Sequence, residues 1–163
     1  MNNRFAAAVG IGIACVAVFV AWILFMQRGA RVGITGSILK VRTSELDENS
    51  SIAVVDFRFA NPGDVQFVVR TVTVVMEDND GKTYEGRTVS EMDAKRLFEA
   101  IPLLGQKFNE TLVMNDKIPA RTSEDRMVAA RFEAPVSRLE ARKRFLVRVE
   151  DVDGPISEIA EKR

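Results

Sequence analysis

From Phe5 to Met26 the chain runs 22 residues without a charge, FAAAVGIGIACVAVFVAWILFM, closed by Arg4 on one side and by Arg28 and Arg31 on the other. A helix of that length rises about 33 Å, close to the ~30 Å hydrocarbon thickness of a bilayer. A globule of 163 residues has little room to surround so long an apolar stretch, and Trp22 stands near one end of the run, where interfacial aromatics collect. The run reads as a transmembrane helix that meets membrane lipid, with Phe5, Gly10, Ala14, Trp22 and Met26 spaced along it.

Two other readings of the run are weaker. A cleaved secretory signal has an apolar core of about 7–15 residues and a small-residue cleavage site; this run is longer, and Phe25-Met26-Gln27-Arg28 offers no such site. Cys15 follows Gly12-Ile13-Ala14, in the manner of a lipoprotein processing box, but eleven apolar residues come after it. The segment is therefore expected to remain as an anchor over 1–27, followed by a linker over 28–33 and a folded domain over 34–163. Small residues at Ala6, Gly10 and Ala14 share one helix face and would allow close approach of a second helix, hence a homo-oligomer. Orientation is nearly balanced: Arg4 stands against Arg28 and Arg31, with Lys40 and Arg42 beyond. That count favours a cytoplasmic domain, but long domains translocate largely regardless of flanking charge.

Composition removes whole classes of chemistry. The chain has no His, and its single Cys lies in the apolar run. Imidazole bases, Ser-His-Asp and Cys-His arrangements and the commonest neutral zinc ligand are excluded, and the domain has no disulfide. Apart from Arg4, Arg28 and Arg31, the chain holds 20 Lys and Arg against 23 Asp and Glu, interleaved throughout. The only compact basic run is Arg142-Lys143-Arg144, so no nucleic-acid partner is expected. With 47% hydrophobic residues the domain can bury a core.

That core has the periodicity of strands. In Ser51–Asn61, Ala53, Val55, Phe57 and Phe59 alternate with Val54, Asp56, Arg58 and Ala60. Asn61-Pro62-Gly63-Asp64 then turns the chain, since proline fixes φ and glycine tolerates positive φ. Val65–Met76 is rich in β-branched residues and reads as a long strand broken by a bulge. Asp78-Asn79-Asp80-Gly81 closes a hairpin onto Lys82–Thr88. Ser90 caps a short helix that carries Met92, Leu97, Phe98 and Ile101 and ends before Pro102. Further strands are expected at Ile34–Val41, Asn109–Met114, Met127–Glu133 and Arg144–Val152, with a helical turn at Val136–Ala141 and a stop at Asp153-Gly154-Pro155. Lys117–Ser123 reads as a connection. About seven strands and one inserted helix give a mainly β chain, an antiparallel β-sandwich behind an N-terminal transmembrane helix.

No catalytic, cofactor-binding or metal-binding residue is assigned, and the chain is not expected to be an enzyme. Ser90 with Lys95, and Thr122 and Ser123 with Lys117, are Ser/Thr-Lys pairs in exposed-looking segments, whereas activation needs a desolvated lysine. Asp151 and Asp153 read as turn formers ahead of Gly154-Pro155. The acidic hairpin at Asp78 lacks the ligand spacing of a calcium loop, with Met76 at the first position. Asn49-Ser50-Ser51 and Asn109-Glu110-Thr111 match the glycan acceptor pattern, which has meaning only in a eukaryotic lumen; a bacterial source is expected.

The layout of Val54–Gly86, with its hydrophobic strand, Asn61-Pro62 turn, second strand, Asp80-Gly81 hairpin and closing glycine, resembles two groups. One is the type 2 late-embryogenesis-abundant proteins with a WHy domain. The other is the bacterial immunoglobulin-like domains that follow lipoprotein signals or single membrane anchors, in which a late segment is similar to Ile118-Pro119 through Arg131-Phe132-Glu133-Ala134-Pro135. The helix at Ser90–Ile101 departs from the plant-type pattern. The bacterial resemblance implies an immunoglobulin-like sandwich without established catalysis, held on the cytoplasmic membrane by a single span with the domain on the extracytoplasmic side. An anchor and a sandwich without reactive groups lead to the expectation of an unidentified protein partner or a structural role at the envelope. The plant-type resemblance implies a stress-protective or small-ligand-binding domain.

Overall fold

A computed structural model describes residues 12–23 and 33–162. The chain forms two compact units that divide between Val32 and Gly33. In the first, residues 12–23 form helix α1, and every one of them is exposed. Ala14 and Trp22 lie on α1; Phe5, Ala6, Gly10 and Met26 lie outside the described residues. Among the described residues no helix is long and apolar enough to cross a membrane.

The second unit is mainly β. In chain order it contains β1 (Thr35–Asp47), β2 (Ser50–Asn61), β3 (Phe67–Glu77), β4 (Thr83–Thr88), α2 (Glu91–Ala100), a 3-10 turn (Pro102–Leu104), β5 (Glu110–Thr111), β6 (Lys117–Ile118), β7 (Thr122–Phe132), α3 (Val136–Glu140), β8 (Arg144–Asp151) and β9 (Ile156–Ala160). The strands form one antiparallel curled sheet in the order β1-β2-β7-β4-β3-β8-β9, with β5 added to β7 in parallel and β6 added to β3.

Curling brings the two halves of the sheet face to face. The alternation in β2 turns Ala53, Val55, Phe57 and Phe59 inward, where they join Val128, Ala130 and Phe132 of β7 and Phe145, Val147 and Val149 of β8. The Phe132 and Phe145 rings meet with centroids 5.7 Å apart. In β3 the inward set changes parity, from Phe67 and Val69 to Val72, Val74 and Met76. The register shift between Val69 and Thr71 causes this, because one extra residue moves every later side chain to the other face.

Two separate sheets were expected, and the structure corrects this at β4. Residues up to Gly86 pair with β3, while Arg87 and Thr88 pair with β7, so one strand belongs to both halves. Gly86 permits the crossing. A Cβ there would lie 2.5 Å from Cζ of Phe132, so only glycine lets this core ring seat against the strand.

Other boundaries move for identifiable reasons. β7 starts at Thr122, not Met127, because the polar stretch Thr122–Arg126 is paired along its length with Phe57–Asn61 of β2. The expected strand over Asn109–Met114 shrinks to the two residues of β5. β1 continues to Asp47, beyond the expected Val41, along the register of β2. β9, which was not expected, pairs with β8 and buries only Ser157 and Ile159, too short a pattern to stand out.

Candidate interaction site

β2 is buried on both faces. Ile52 and Val54, with Met127 and Ala129 of β7, form a second, smaller core on the outer side of the sheet. It is covered by Ala94 of α2 and by Leu104, with Val89, Leu97, Phe98 and Ile101 packed at its margin. The helix forms where the sequence places it: Ser90 Oγ accepts from Asp93 N at 3.1 Å, Glu91 and Asp93 fill the first turn, and Glu91 pairs with Lys95 at 3.3 Å. Ile101 N donates to Leu97 O and closes it ahead of Pro102.

The connection after α2 is irregular, and its carbonyl groups need donors. Arg42 supplies them. From β1 its guanidinium donates through Nη1 to Leu104 O at 2.6 Å and Gln106 O at 2.7 Å, and through Nη2 to Asp56 Oδ2 at 2.6 Å. Asn109 Nδ2 donates to the other carboxylate oxygen of Asp56 at 2.9 Å. The pair is buried, with both side chains under a tenth exposed. Phe98 and Phe108 flank the guanidinium, their ring centroids 4.9 and 5.9 Å from its carbon. Arg42 Nε is buried without a partner, so the clamp carries some unrelieved desolvation.

The clamp fixes a segment whose outward side is apolar. Leu103 is 88% exposed and Phe108 68% exposed, while Leu104 between them is fully buried. Two large apolar side chains are thus presented to solvent on a connection anchored at Leu104, Gln106 and Asn109. The arrangement is an ordered apolar surface.

The alternation placed Asp56 on a solvent face, and the structure puts it under the 101–109 connection. A signal for this existed. Ile52, Val54, Met127 and Ala129 put apolar residues on the second face of two neighbouring strands, and such a face must be covered. The partnership of Arg42 with Asp56 had no short-range mark, because the two lie on different strands and meet diagonally across the register.

Asn61 ends β2, and Gly63, Asp80, Gly81 and Gly154 lie in the bends and turns that follow β2, β3 and β8. Asn61 is buried, and its Nδ2 donates to Val65 O, Ile118 O and Pro119 O, while its Oδ1 accepts from Gly63 N. It therefore ties the turn beginning at exposed Pro62 to the 118–119 segment. Gly81, at φ 79°, donates to Asp78 O beside Asp80. Gly154 adopts φ 102°, Gly154 N donates to Asp151 O, and Asp151 N donates to Pro155 O. The Ser/Thr-Lys pairs are not assembled: Ser90 caps α2, Lys95 pairs with Glu91, and Ser123 Oγ donates to Phe59 O. Asp151 Oδ1 accepts from Asp153 N.

Two ionic clusters brace the end of the domain opposite to Asn61. Lys143 Nζ and Arg144 Nε both donate to Glu77, and hydrogen bonds from Lys143 first and Arg144 second hold its carboxyl below the ordinary range. Arg142, buried over the Phe145 ring, forms a two-bond pair with Glu161. Nearby, Glu85, Arg87, Arg131 and Glu133 line a groove of about 350 Å³, in which Arg131 is engaged with Ser50 and Asp47.

No protein-family model and no curated protein matches the chain. A solved structure described as "X-ray structure of Northeast Structural Genomics Consortium target SoR45" is similar over 83% of both chains, at 14% identity and a TM-score of 0.35. A likeness that loose carries no argument about function.

Proposed function

We propose that this protein is a non-catalytic binding module, tethered to a membrane by its N-terminal apolar run, which engages a protein partner through the surface around Leu103 and Phe108. The observation that carries the reading is the exposure of these two side chains on a connection clamped from beneath by Arg42 and Asp56, to which its own Asn109 is bonded. Exposed large apolar residues on an ordered scaffold lose little conformational entropy on binding, and a central aromatic anchor is typical of interfaces. Support for the tether comes from the 22 uncharged residues and from the exposed apolar side of α1, where Ile13, Val16, Phe19 and Trp22 need a lipid or protein environment. The finer assignments, an immunoglobulin-like sandwich on the extracytoplasmic side of the cytoplasmic membrane and a homo-oligomer through Ala6, Gly10 and Ala14, belong to this proposal and rest on the resemblance and the small-residue spacing. The stress-protective alternative has no comparable site in its favour.

The test is photo-crosslinking in native membranes from a benzophenone side chain placed at Phe108, with the same group at Lys82 as control. A discrete adduct from position 108 alone is expected. Identical patterns from both positions, or no adduct from position 108, would overturn the proposal. Protease accessibility of a C-terminally tagged chain in intact cells, opened cells and inverted vesicles reads the compartment.

A further inference from the structure

The two ends of the domain differ in a way that bears on where it rests. One end, called proximal here, is where β1 begins. It gathers the turns 62–66, 119–121 and 152–155: Thr35 is registered with Ala60, Asn61 is bonded to Val65, Ile118 and Pro119, and Val152 N donates to Val68 O. Its exposed apolar side chains are Val65 at 54%, Ile156 at 64% and Val152 at 39%. Three charges stand in these turns, Asp64, Arg121 and Asp153, and the first two neutralise each other at 2.6 Å. The distal turns, 48–49, 78–82 and 133–143, are crowded with charge, including Glu48, Asp78, Asp80, Lys82, Glu140 and Lys143. Apart from Leu46 at the end of β1, no large apolar residue is exposed there among the described residues.

Chain length ties one of these ends to lipid. Seven residues, 27–33, separate the apolar run, which ends at Met26, from the domain, and fully extended they reach about 24 Å. The end where β1 begins is the one such a tether holds near a bilayer surface. Pressing the proximal end to the interface desolvates the Asp64–Arg121 pair, Asp153 and Lys117, which is registered with Val68, whereas the distal end would desolvate more charges.

We propose that the proximal end of the domain lies on the lipid surface, with Val65 and Ile156 inserted at the headgroup boundary. The proposal rests on the membrane-tether reading above. It leaves the Leu103–Phe108 surface, which sits about β1 and β2 nearer their middle, free for a partner.

The experiment uses the full chain in phosphatidylcholine vesicles. In a Cys15→Ser background, Val65→Cys, Ile156→Cys and, at the distal turn, Asp80→Cys are labelled with an environment-sensitive fluorophore and exposed to nitroxide-bearing lipid or to aqueous iodide. The expected result is blue-shifted emission and lipid quenching at positions 65 and 156, with iodide quenching at position 80. If the chain floats with the vesicles but positions 65 and 156 respond to iodide like position 80, or all three respond to lipid alike, the surface proposal fails and the tether stands. If the chain does not float with vesicles, the tether fails and the surface proposal with it. Val65→Glu together with Ile156→Glu, at exposed positions that leave the core intact, should abolish lipid quenching from a label at Val152→Cys.

Discussion

The inner and outer cores share β2 and β7 but are held in different ways. Inside the curl, Phe57, Phe59, Phe132 and Phe145 interlock with valines from β3 and β8, all of them buried. Outside, Ile52, Val54, Met127 and Ala129 lie under a helix and an irregular connection that contribute Ala94 and Leu104, and a buried ion pair between Arg42 and Asp56 fastens that cover down. Regular strands satisfy their own backbone groups, so apolar burial is enough to hold them together. The cover brings bare carbonyls at Leu104 and Gln106, and a charged donor must meet them. The cost is a buried charge that tolerates no missing partner.

Removing a ring from the inner core should have the largest effect. Phe145→Ala is expected to cost about 3–5 kcal/mol and to lower stability everywhere at once, read as a single shifted unfolding transition of the full chain. Asp56→Ala should cost a comparable 3–5 kcal/mol, but locally, because it strands Arg42 in a dry site. Hydrogen exchange would show protection falling over 91–109 while β3 and β8 stay protected; uniform loss would erase the distinction between the two cores. Gly86→Ala should cost about 1–3 kcal/mol through the clash with the Phe132 ring, and a Phe132→Leu partner should relieve part of it in a double-mutant cycle. Ser90→Ala should cost about 1 kcal/mol, felt only in the cover.

Acid should act through carboxyls that basic side chains hold in the charged form. Hydrogen bonds from Lys143 and Arg144 lower the Glu77 carboxyl from its ordinary 4.5, and Arg58 lowers Asp125 from 3.8. A carboxyl with a lowered folded-state pKa stabilises fully above its unfolded value and loses that contribution as pH falls through the folded one. Thermal unfolding of the full chain should therefore be insensitive to these groups above about pH 4.5 and decline below it. Glu77→Gln should flatten that decline, and an unchanged acid limb would remove Glu77 as its source.

The strands with clean alternation were legible in advance. β2 and β8 could be read from their period of two, α2 from Ser90 and the apolar spacing behind it, and the turn at Asn61 from its proline. β9 was not, since a five-residue strand with two inward side chains carries almost no pattern. The first half of β7 was hidden because Thr122–Arg126 is polar and becomes a strand only by pairing with β2. At the candidate site, the helix and the apolar face under it left traces in the sequence. The clamp did not, since Arg42, Asp56 and Asn109 meet only after β1 and β2 are in register and the 101–109 connection has folded over them.

By itself, the order of residues determined what local forces can determine: an uncharged run of bilayer length, strand periods, capping, hairpin turns, and the absence of imidazole chemistry. Tertiary structure decided the rest. It made one curled sheet where two were expected, because Gly86 lets a single strand pass under a ring of the core. It also buried Asp56, because a cover that hides apolar side chains must bond its own carbonyls to something, and only contact across distant segments could bring Arg42 to them.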